Sequence, residues 1–340
     1  MPLTVDRAIV KVRLGRLNEA IVDSDAARDG AQLLRDPQLC LWSEIITCII
    51  SLANGQPREA LAAGARATAL AQTSSNVLLG VNAHLVLALA QLQAGDPAQA
   101  RRRILENAGG PDLPLAEAVM RPHWHGVLAQ AELSLARREA AEDWTRRAET
   151  SAQGLQLPSA TAHAELARAT LLLADGDADN ACALALRAGQ RLRSIGAAAA
   201  AGRSDVLAGR ALALAGRRTE AIERLQHAHA QFATCGAKTH RDEAARELRR
   251  LGSPPRRLRS SGEGVSALSN REREVADLAA GGLTNREIAQ QLYLSEKTVE
   301  THITRILNKL DINSRIALAA ILPPIAPSMP DNTPLPTSSS

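Results

Sequence analysis

The sequence predicts an all-α protein in which a solenoid of helical hairpins precedes a small helical domain. Apolar residues make up 45% of the chain but aromatic residues only 1%, so the core must consist of Ala, Leu, Ile and Val, which suit close-packed helices. A turn motif recurs about every 40 residues, and four helix-start signals follow near the C-terminus. With 340 residues, the chain is long enough for more than one domain.

A short motif is repeated along the N-terminal part of the chain. In every copy an apolar helix, for example LVLALAQLQ, ends at Gly or Ala, polar residues form a turn, and an Ala follows where the next helix must pack closely. Glycine suits this turn because it accepts a positive φ without steric cost. The copies are GRLNEA from Gly15, GQPREA from Gly55, GDPAQA from Gly95, ARREAA from Ala136, GDADNA from Gly176 and GRRTEA from Gly216, at spacings of 40, 40, 41, 40 and 40 residues.

Helical hairpins of this length stack side by side, and each buries the face that its neighbour leaves open. The repeats therefore predict an α-solenoid of about six hairpins over residues 1–252. They resemble tetratricopeptide repeats in their small-residue helix pairs, although the period of 40 residues is longer than the usual ~34. The concave face of such a solenoid is the natural place for an unknown effector or protein partner.

Two segments have the composition of irregular chain. Residues 253–264, SPPRRLRSSGEG, can neither continue a helix nor build a core, so we interpret them as a linker. The arginines of this linker could contact phosphate groups, but a plainly solvated linker is the preferred interpretation. Residues 323–340 are rich in Pro and Ser and are expected to be disordered.

Residues 265–322, between these segments, contain four helix starts. Only two residues, Tyr293 and Leu294, separate the second helix from the third, which predicts a helix-turn-helix. The starts are marked by capping boxes at Ser269–Glu272 and Thr284–Glu287, by Ser295, and by Asn313 or Ser314.

The third of these helices has two different faces. One side must face a core, because its apolar residues recur at helical spacing. The opposite side is either an ordinary wet surface or a surface shaped to touch a partner. The apolar stripe is Val299, Ile303, Ile306 and Leu310, and the polar side carries Lys297, Thr301, Thr304 and Asn308.

Residues 266–321 resemble the C-terminal DNA-binding domain of LuxR-type transcriptional regulators. They read SALSNREREVADLAAGGLTNREIAQQLYLSEKTVETHITRILNKLDINSRIALAAI and match that domain along its length without a gap. The resemblance implies a four-helix module whose third helix enters the major groove of double-stranded DNA and whose fourth helix pairs with a second copy. The chain as a whole resembles the helical-repeat and C-terminal parts of large ATP-binding, MalT-like LuxR regulators without the ATPase domain, as a truncated or split relative.

The same resemblance assigns DNA-binding positions. It places Glu300, Thr301 and Thr304 against the groove. Thr and His can donate to phosphate oxygens, the Thr methyl suits thymine, and Lys or Arg adds charge. Many members carry Lys where Glu300 stands, so Glu300 is either a base reader that accepts from cytosine or a plain helix-surface residue. The positions near phosphates or neighbouring base edges are Thr284, Lys297, Thr298, His302, Arg305 and Lys309.

The charge balance limits how strongly such a domain binds. The chain has a net charge of +4, which permits an acidic partner, but seven basic and seven acidic residues between Ser266 and Leu322 give that segment a net charge of zero. Non-specific DNA affinity should therefore be modest. A homodimer, which doubles the contacts, becomes more necessary.

Enzymatic and membrane functions find no support in the sequence. The chain has no Gly-Lys pair, hence no phosphate-binding Gly-x-x-x-x-Gly-Lys-Ser/Thr loop, and its histidines are scattered, so neither a cofactor nor a metal site is expected. The four cysteines have neither zinc-site spacing nor disulfide-scaffold density, and we expect buried free thiols. Without a signal peptide or a membrane-length apolar run, the sequence predicts a cytoplasmic protein.

The leading hypothesis is a transcription regulator that binds promoter DNA as a dimer, acts with RNA polymerase and receives a signal through its repeats. One alternative is a helical-repeat adaptor whose C-terminal module, with a net charge of zero, contacts RNA polymerase or another protein rather than DNA. A third, a sigma-like factor, is disfavoured because the chain lacks the aromatic and basic helix that strand opening needs.

Overall fold

The computed structural model describes residues 2–255 and 268–310, together with Arg315 and Leu318. All regular structure in these residues is helical, which confirms the all-α prediction. The chain divides into two compact units, residues 1–256 and residues 257–340. None of the described helices is both long and apolar enough to span a membrane.

The N-terminal unit consists of six helical hairpins and one closing helix, which confirms the predicted solenoid. The hairpins pair α1 (Pro2–Arg13) with α2 (Leu17–Leu34), α3 (Pro37–Ala53) with α4 (Pro57–Ala71), α5 (Val77–Gln93) with α6 (Pro97–Asn107), α7 (Arg121–Ser134) with α8 (Arg138–Leu155), α9 (Pro158–Ala174) with α10 (Ala178–Ser194), and α11 (Ala198–Leu214) with α12 (Arg218–Cys235). The closing helix is α13 (Lys238–Arg250), and a 3₁₀ helix, Ala118–Met120, precedes α7.

The turn inside each hairpin has the left-handed backbone that its repeated glycine predicts. Ala136 occupies the glycine position of the fourth hairpin and has a φ of 57°. This conformation costs a residue with a Cβ about 1–2 kcal/mol, so the turn between α7 and α8 is strained where the others are not. The glycine turns have φ values from 72° to 91° and lie at Gly15, Gly55, Gly95, Gly176 and Gly216.

The alanine at the start of the second helix of each hairpin is fully buried. A larger side chain at any of these positions would force the paired helices apart. In each of the six hairpins, the alanine of the motif therefore lies where the paired helices pack closely. The buried alanines are Ala20, Ala60, Ala100, Ala141, Ala181 and Ala221, each with 0% exposure.

The repeat unit closes on itself, a feature that the sequence did not predict. Leu17 of the first hairpin lies in the same hydrophobic cluster as Phe232 of the last. The Thr239 hydroxyl at the start of α13 donates to the Leu52 carbonyl over 2.8 Å. The first hairpins therefore lie against the last helices of the row.

The C-terminal unit contains α14 (Asn270–Ala280), α15 (Asn285–Leu292) and α16 (Glu296–Leu310), as predicted for its first three helices. The predicted fourth helix lies outside the described residues, apart from Arg315 and Leu318, and Leu318 is fully buried. The predicted linker beyond residue 255 and the predicted disordered tail, residues 323–340, also lie outside the described residues.

Exchanging glycine and alanine between two hairpin turns tests the strain at Ala136. Ala136→Gly should raise the free energy of unfolding by about 0.5–1 kcal/mol, because the left-handed backbone costs alanine more than the added chain entropy costs glycine. Gly176→Ala is the matched control and should lower it by about 1 kcal/mol. The added Cβ at Gly176 meets no neighbouring atom within 4 Å, so conformation alone is altered. Urea unfolding measures both shifts, and shifts of equal sign would contradict the strain.

Candidate nucleic-acid interface

The core of the C-terminal unit fixes the orientation of α16. Val299, Ile303 and Ile306 are buried in one cluster with apolar residues of α14 and α15. They are three of the four members of the predicted apolar stripe, and the side chain of the fourth, Leu310, lies outside the described residues. The opposite face of α16 is exposed to solvent.

Capping boxes fix the residues at which α14 and α15 begin. The Glu272 N–H donates to Ser269 Oγ over 3.3 Å, and the Ser269 N–H donates to Glu272 Oε2 over 2.8 Å. The Glu287 N–H donates to Thr284 Oγ1 over 3.3 Å, and the Thr284 N–H donates to Glu287 Oε2 over 2.7 Å. Each box satisfies two backbone donors that a helix start leaves free. The Thr284 N–H also holds the pKa of the Glu287 carboxyl below its usual range.

A short turn joins α15 to α16. Tyr293 ends α15 with a left-handed φ of 53°, and the Thr298 N–H donates to Ser295 Oγ over 3.1 Å at the start of α16. Arg271 of α14 donates to the Leu292 carbonyl over 2.6 Å, so the first helix holds the end of the second. The three helices form the helix-turn-helix that the two-residue connection predicts.

The exposed face of α16 carries two threonines whose hydroxyls are bonded to their own helix. The Thr301 hydroxyl donates to the Lys297 carbonyl and the Thr304 hydroxyl to the Glu300 carbonyl, both over 2.9 Å. Because these donors are used, each threonine offers its methyl and its oxygen lone pairs outward. A thymine methyl, or an amino group of adenine or cytosine, is the matching feature of a base edge.

Among the described residues of this unit, the ion pairs lie on α14, whereas α16 carries unpaired charges of both signs. On α14, Arg271 pairs with Glu274 at 2.7 Å. On the same helix, Arg273 pairs with Asp277 at 3.1 Å. A net charge of zero therefore conceals cations that no described residue neutralises. These exposed cations are Arg286 on α15 and Lys297 and Arg305 on α16.

Glu300 is exposed and pairs with no cation in the described part of the chain. Lys297 and Thr304 are the neighbours on α16 that could satisfy it. Neither does so, since Lys297 lies beyond ion-pair distance and Thr304 bonds the Glu300 carbonyl rather than the carboxylate. The Glu300 carboxylate is thus available to accept a hydrogen bond from a partner, and it would repel a phosphate.

The remaining predicted residues occupy less direct positions, and their role stays a prediction. Thr284 is exposed, but its hydroxyl donates to Glu287 Oε2 over 2.8 Å, a bond that must break before it can donate to phosphate. Thr298 is half-buried, with its hydroxyl 2.7 Å from the cap residue of α16. His302 is also half-buried, and its Nδ1 has no hydrogen-bond partner among the described residues. The side chain of Lys309 lies outside those residues.

Sequence reasoning missed two exposed residues of the helix-turn-helix. Tyr293 is 96% exposed in the turn before α16, an unusual place for an aromatic side chain at positive φ. Arg286 is exposed near the start of α15. The exposure of Tyr293 could have been predicted from the two-residue connection, because so short a turn has no room to bury a ring. For Arg286, only the charge of the side chain predicted its exposure.

The tryptophan and cysteine side chains of the repeat unit mostly pack in its interior. Trp124 and Trp144 are buried, as expected of packing anchors. Burial raises the pKa of the Cys48 thiol to about 12, which removes it as a nucleophile at neutral pH. All four cysteines are free, and only Cys40 is half-buried rather than buried. Within the described ranges, no group of three or more His, Cys, Asp or Glu side chains could hold a metal ion.

Replacing Thr284 by Val removes the cap of α15 at nearly constant size. Amide hydrogen exchange in residues 285–292 should become about fivefold faster, because losing an N-cap costs about 1 kcal/mol. Thr304→Val is the matched control, since its hydroxyl bonds only within α16, and it should leave exchange in α15 unchanged. Mass spectrometry on the full-length protein measures both rates. An unchanged rate in Thr284→Val would show that the box does not hold α15.

The helix-turn-helix also matches known proteins. Residues 266–322 match the family described as bacterial regulatory proteins, luxR family. Relatives include the transcriptional regulatory protein LiaR of Bacillus subtilis (48% identical over 66 residues), the response regulatory protein YgeK of Escherichia coli (57% over 51) and the virulence factors transcription regulator BvgA of Bordetella pertussis (48% over 54). These matches cover 18%, 15% and 16% of this chain, and only 31%, 35% and 26% of the respective relatives.

Two solved structures align with larger parts of the chain. The Rap protein complexed with Competence and Sporulation Factor aligns over 94% of this chain and 98% of its own, at 11% identity and a TM-score of 0.48. BtubC from P. vanneervenii aligns over 72% of this chain and 94% of its own, at 18% identity and a TM-score of 0.43. By its family match and by the geometry of α14 to α16, the chain carries a C-terminal LuxR-family helix-turn-helix domain, and its helical N-terminal unit fits a MalT-like architecture.

Proposed function

We propose that this protein is a transcription regulator whose C-terminal domain binds promoter DNA through α16 as a homodimer, while the repeat unit receives an effector or a protein partner. The observation that carries this proposal is the polar face of α16, which lies opposite the buried stripe and exposes threonines and unpaired cations. Relatives of the domain are themselves named as transcription regulators. The proposal includes RNA polymerase as a partner and the cytoplasm as the compartment.

The exposed face offers both kinds of contact that sequence-specific binding needs. Thr301 and Thr304 lie three residues apart, hence on one side of the helix, and present methyls and acceptor oxygens to base edges. Lys297 and Arg305 supply positive charge for phosphates on either side of the groove. Arg286 adds a third cation from α15.

The small number of free cations favours binding by two copies. Each neutralised phosphate adds about 0.9 to the slope of log affinity against log salt, so three cations give a slope of only about −3 per copy. A second copy doubles that contribution and makes the second contact intramolecular. Helix-turn-helix dimers read half-sites about 10 base pairs apart, so we expect a two-fold symmetric DNA site.

One observation favours a second candidate function, that of a protein adaptor. Glu296 and Glu300 are exposed on α16, and neither forms an ion pair with a described residue. Carboxylates close to DNA phosphates raise the electrostatic energy of a complex. A protein partner with basic groups, including RNA polymerase, would meet them favourably instead.

Gel shifts with the full-length protein and the DNA upstream of its own gene test the leading function. Thr301→Asp and Thr304→Asp should each abolish the specific shift, a loss of roughly 100-fold or more, because each removes a methyl from the base edges and adds a negative charge close to the DNA phosphates. Arg305→Gln should weaken binding to all sequences alike and make the salt slope shallower by about 1.

Arg273→Gln is the control for these gel shifts. It removes a cation that Asp277 already pairs, so it should change neither the specific shift nor the salt slope. Circular dichroism verifies that each variant is folded. A specific shift that survives both aspartate substitutions would exclude α16 as the reading helix and favour the adaptor.

Glu300→Gln separates the two roles open to that residue. We expect the ratio of specific to non-specific affinity to fall about tenfold, because an unpaired carboxylate is a better acceptor for a cytosine amino group than an amide. Glu296→Gln is the control, and it should raise all affinities alike by removing one negative charge. Filter binding against specific and random duplexes measures the ratio. A uniform rise in Glu300→Gln would assign Glu300 to the helix surface.

A further inference from the structure

A cavity of about 460 Å³ occupies the concave side of the closed repeat unit. A smaller recess of about 70 Å³ also lies in the repeat unit, and His163 and Arg203 line both spaces. The larger space falls in the range of cavities that hold drug-sized molecules. Its walls come from the first helices of several hairpins, the 3₁₀ helix, the end of α10 and α13. Apolar wall residues include Leu52, Leu89, Met120, Leu192 and Ile195.

Arg203 of α11 brings an unneutralised positive charge into this cavity. Its side chain is exposed there, and no carboxylate of the described residues lies within ion-pair distance. Enclosure by the surrounding helices lowers the pKa of Arg203, and the more distant Glu243 opposes that effect. Glu243 is itself paired with Arg210 at 2.8 Å. Arginine nevertheless stays protonated at neutral pH, so the charge persists.

Two other arginines of these first helices have carboxylate partners. Arg168 of α9 pairs with Glu149 at 2.8 Å. Arg210, on the same helix as Arg203, pairs with Glu243 at the same distance. Arg203 differs from these two arginines in having no carboxylate partner among the described residues. Its guanidinium is therefore free to pair with an anion that enters the cavity.

Two histidines stand beside this charge. The rings of His123 and His163 meet edge to face, with centroids 4.8 Å apart. Desolvation and the nearby Arg203 charge lower the pKa of His163 to about 4, so its imidazole is neutral at pH 7. A neutral imidazole still donates one hydrogen bond. The polar end of the cavity thus combines a guanidinium fork with a neutral donor.

We propose that this cavity binds a small organic anion that has a carboxylate head and an apolar body. The planar guanidinium of Arg203 matches a carboxylate with two parallel hydrogen bonds, which His163 supplements. The apolar body lies against the aliphatic walls and gains the free energy of leaving water. The claim that this cavity is the effector site rests on the proposed function, whereas the claim that it binds the anion does not.

Isothermal titration of the full-length protein tests the proposal, with octanoate as the probe and 1-octanol as its uncharged counterpart. Native protein should bind octanoate at least about tenfold more tightly than octanol, the value of one charge-assisted pair. Arg203→Met should remove that preference and leave octanol binding unchanged. Arg203→Lys, which keeps the charge but not the fork, should retain part of it.

Arg58→Met is the matched control, because Arg58 is an exposed arginine of α4 that does not line the cavity. It should bind both probes as the native protein does. The proposal is overturned if native protein binds neither probe, if it binds both equally, or if Arg203→Met keeps the preference while circular dichroism shows a native fold. No DNA is present in the titration, so this result and that of the gel shifts are independent.

Discussion

The close approach of paired helices is the constraint on which the whole repeat unit depends. Each hairpin buries one alanine completely, and the turn before that alanine uses a left-handed residue. Because every hairpin repeats the same offset, the row curves steadily until its ends meet. Glycine at two of the turns also allows the ends of the row to approach each other closely. A Cβ on Gly15 would lie 2.7 Å from Cys235 Sγ, and a Cβ on Gly55 would lie 3.0 Å from Thr239 Oγ1.

The C-terminal unit is held by different means, because its helices are short. Helices of 8 to 15 residues, such as α15 and α16, are marginal in water by themselves. Hydrogen bonds from side chains to helix ends compensate for this, and they join separate helices. Arg271 bonds the carbonyl at the end of α15, and Arg315 donates to Asn285 Oδ1 over 2.6 Å at its start. The face of α16 is presented by a scaffold that is fixed at both ends of α15.

Features that depend on near neighbours in the chain could be predicted from the sequence. The repeated turn, the two capping boxes and the apolar stripe of α16 all involve residues a few positions apart. Closure of the repeat unit could not be predicted, because the Thr239–Leu52 bond joins residues 187 positions apart. For a related reason, the sequence could not predict that Arg203 lacks a carboxylate partner among the described residues or that the Thr301 hydroxyl bonds its own helix. Whether a polar group has a partner depends on every group around it in space.

Closure links the cavity to the state of the whole repeat unit. Leu52 comes from the second hairpin and Arg203 from the sixth, so a molecule held between them touches helices far apart in the row. Such a molecule binds the closed row with contacts that an opened row would lack. A ligand shifts a conformational equilibrium only by its difference in affinity for the two states. A nearly complete switch needs an affinity about 10⁴-fold higher for one state than for the other. A ligand that contacts separated hairpins has such a difference in affinity between the closed and the opened row. A ligand that contacts a single hairpin would not.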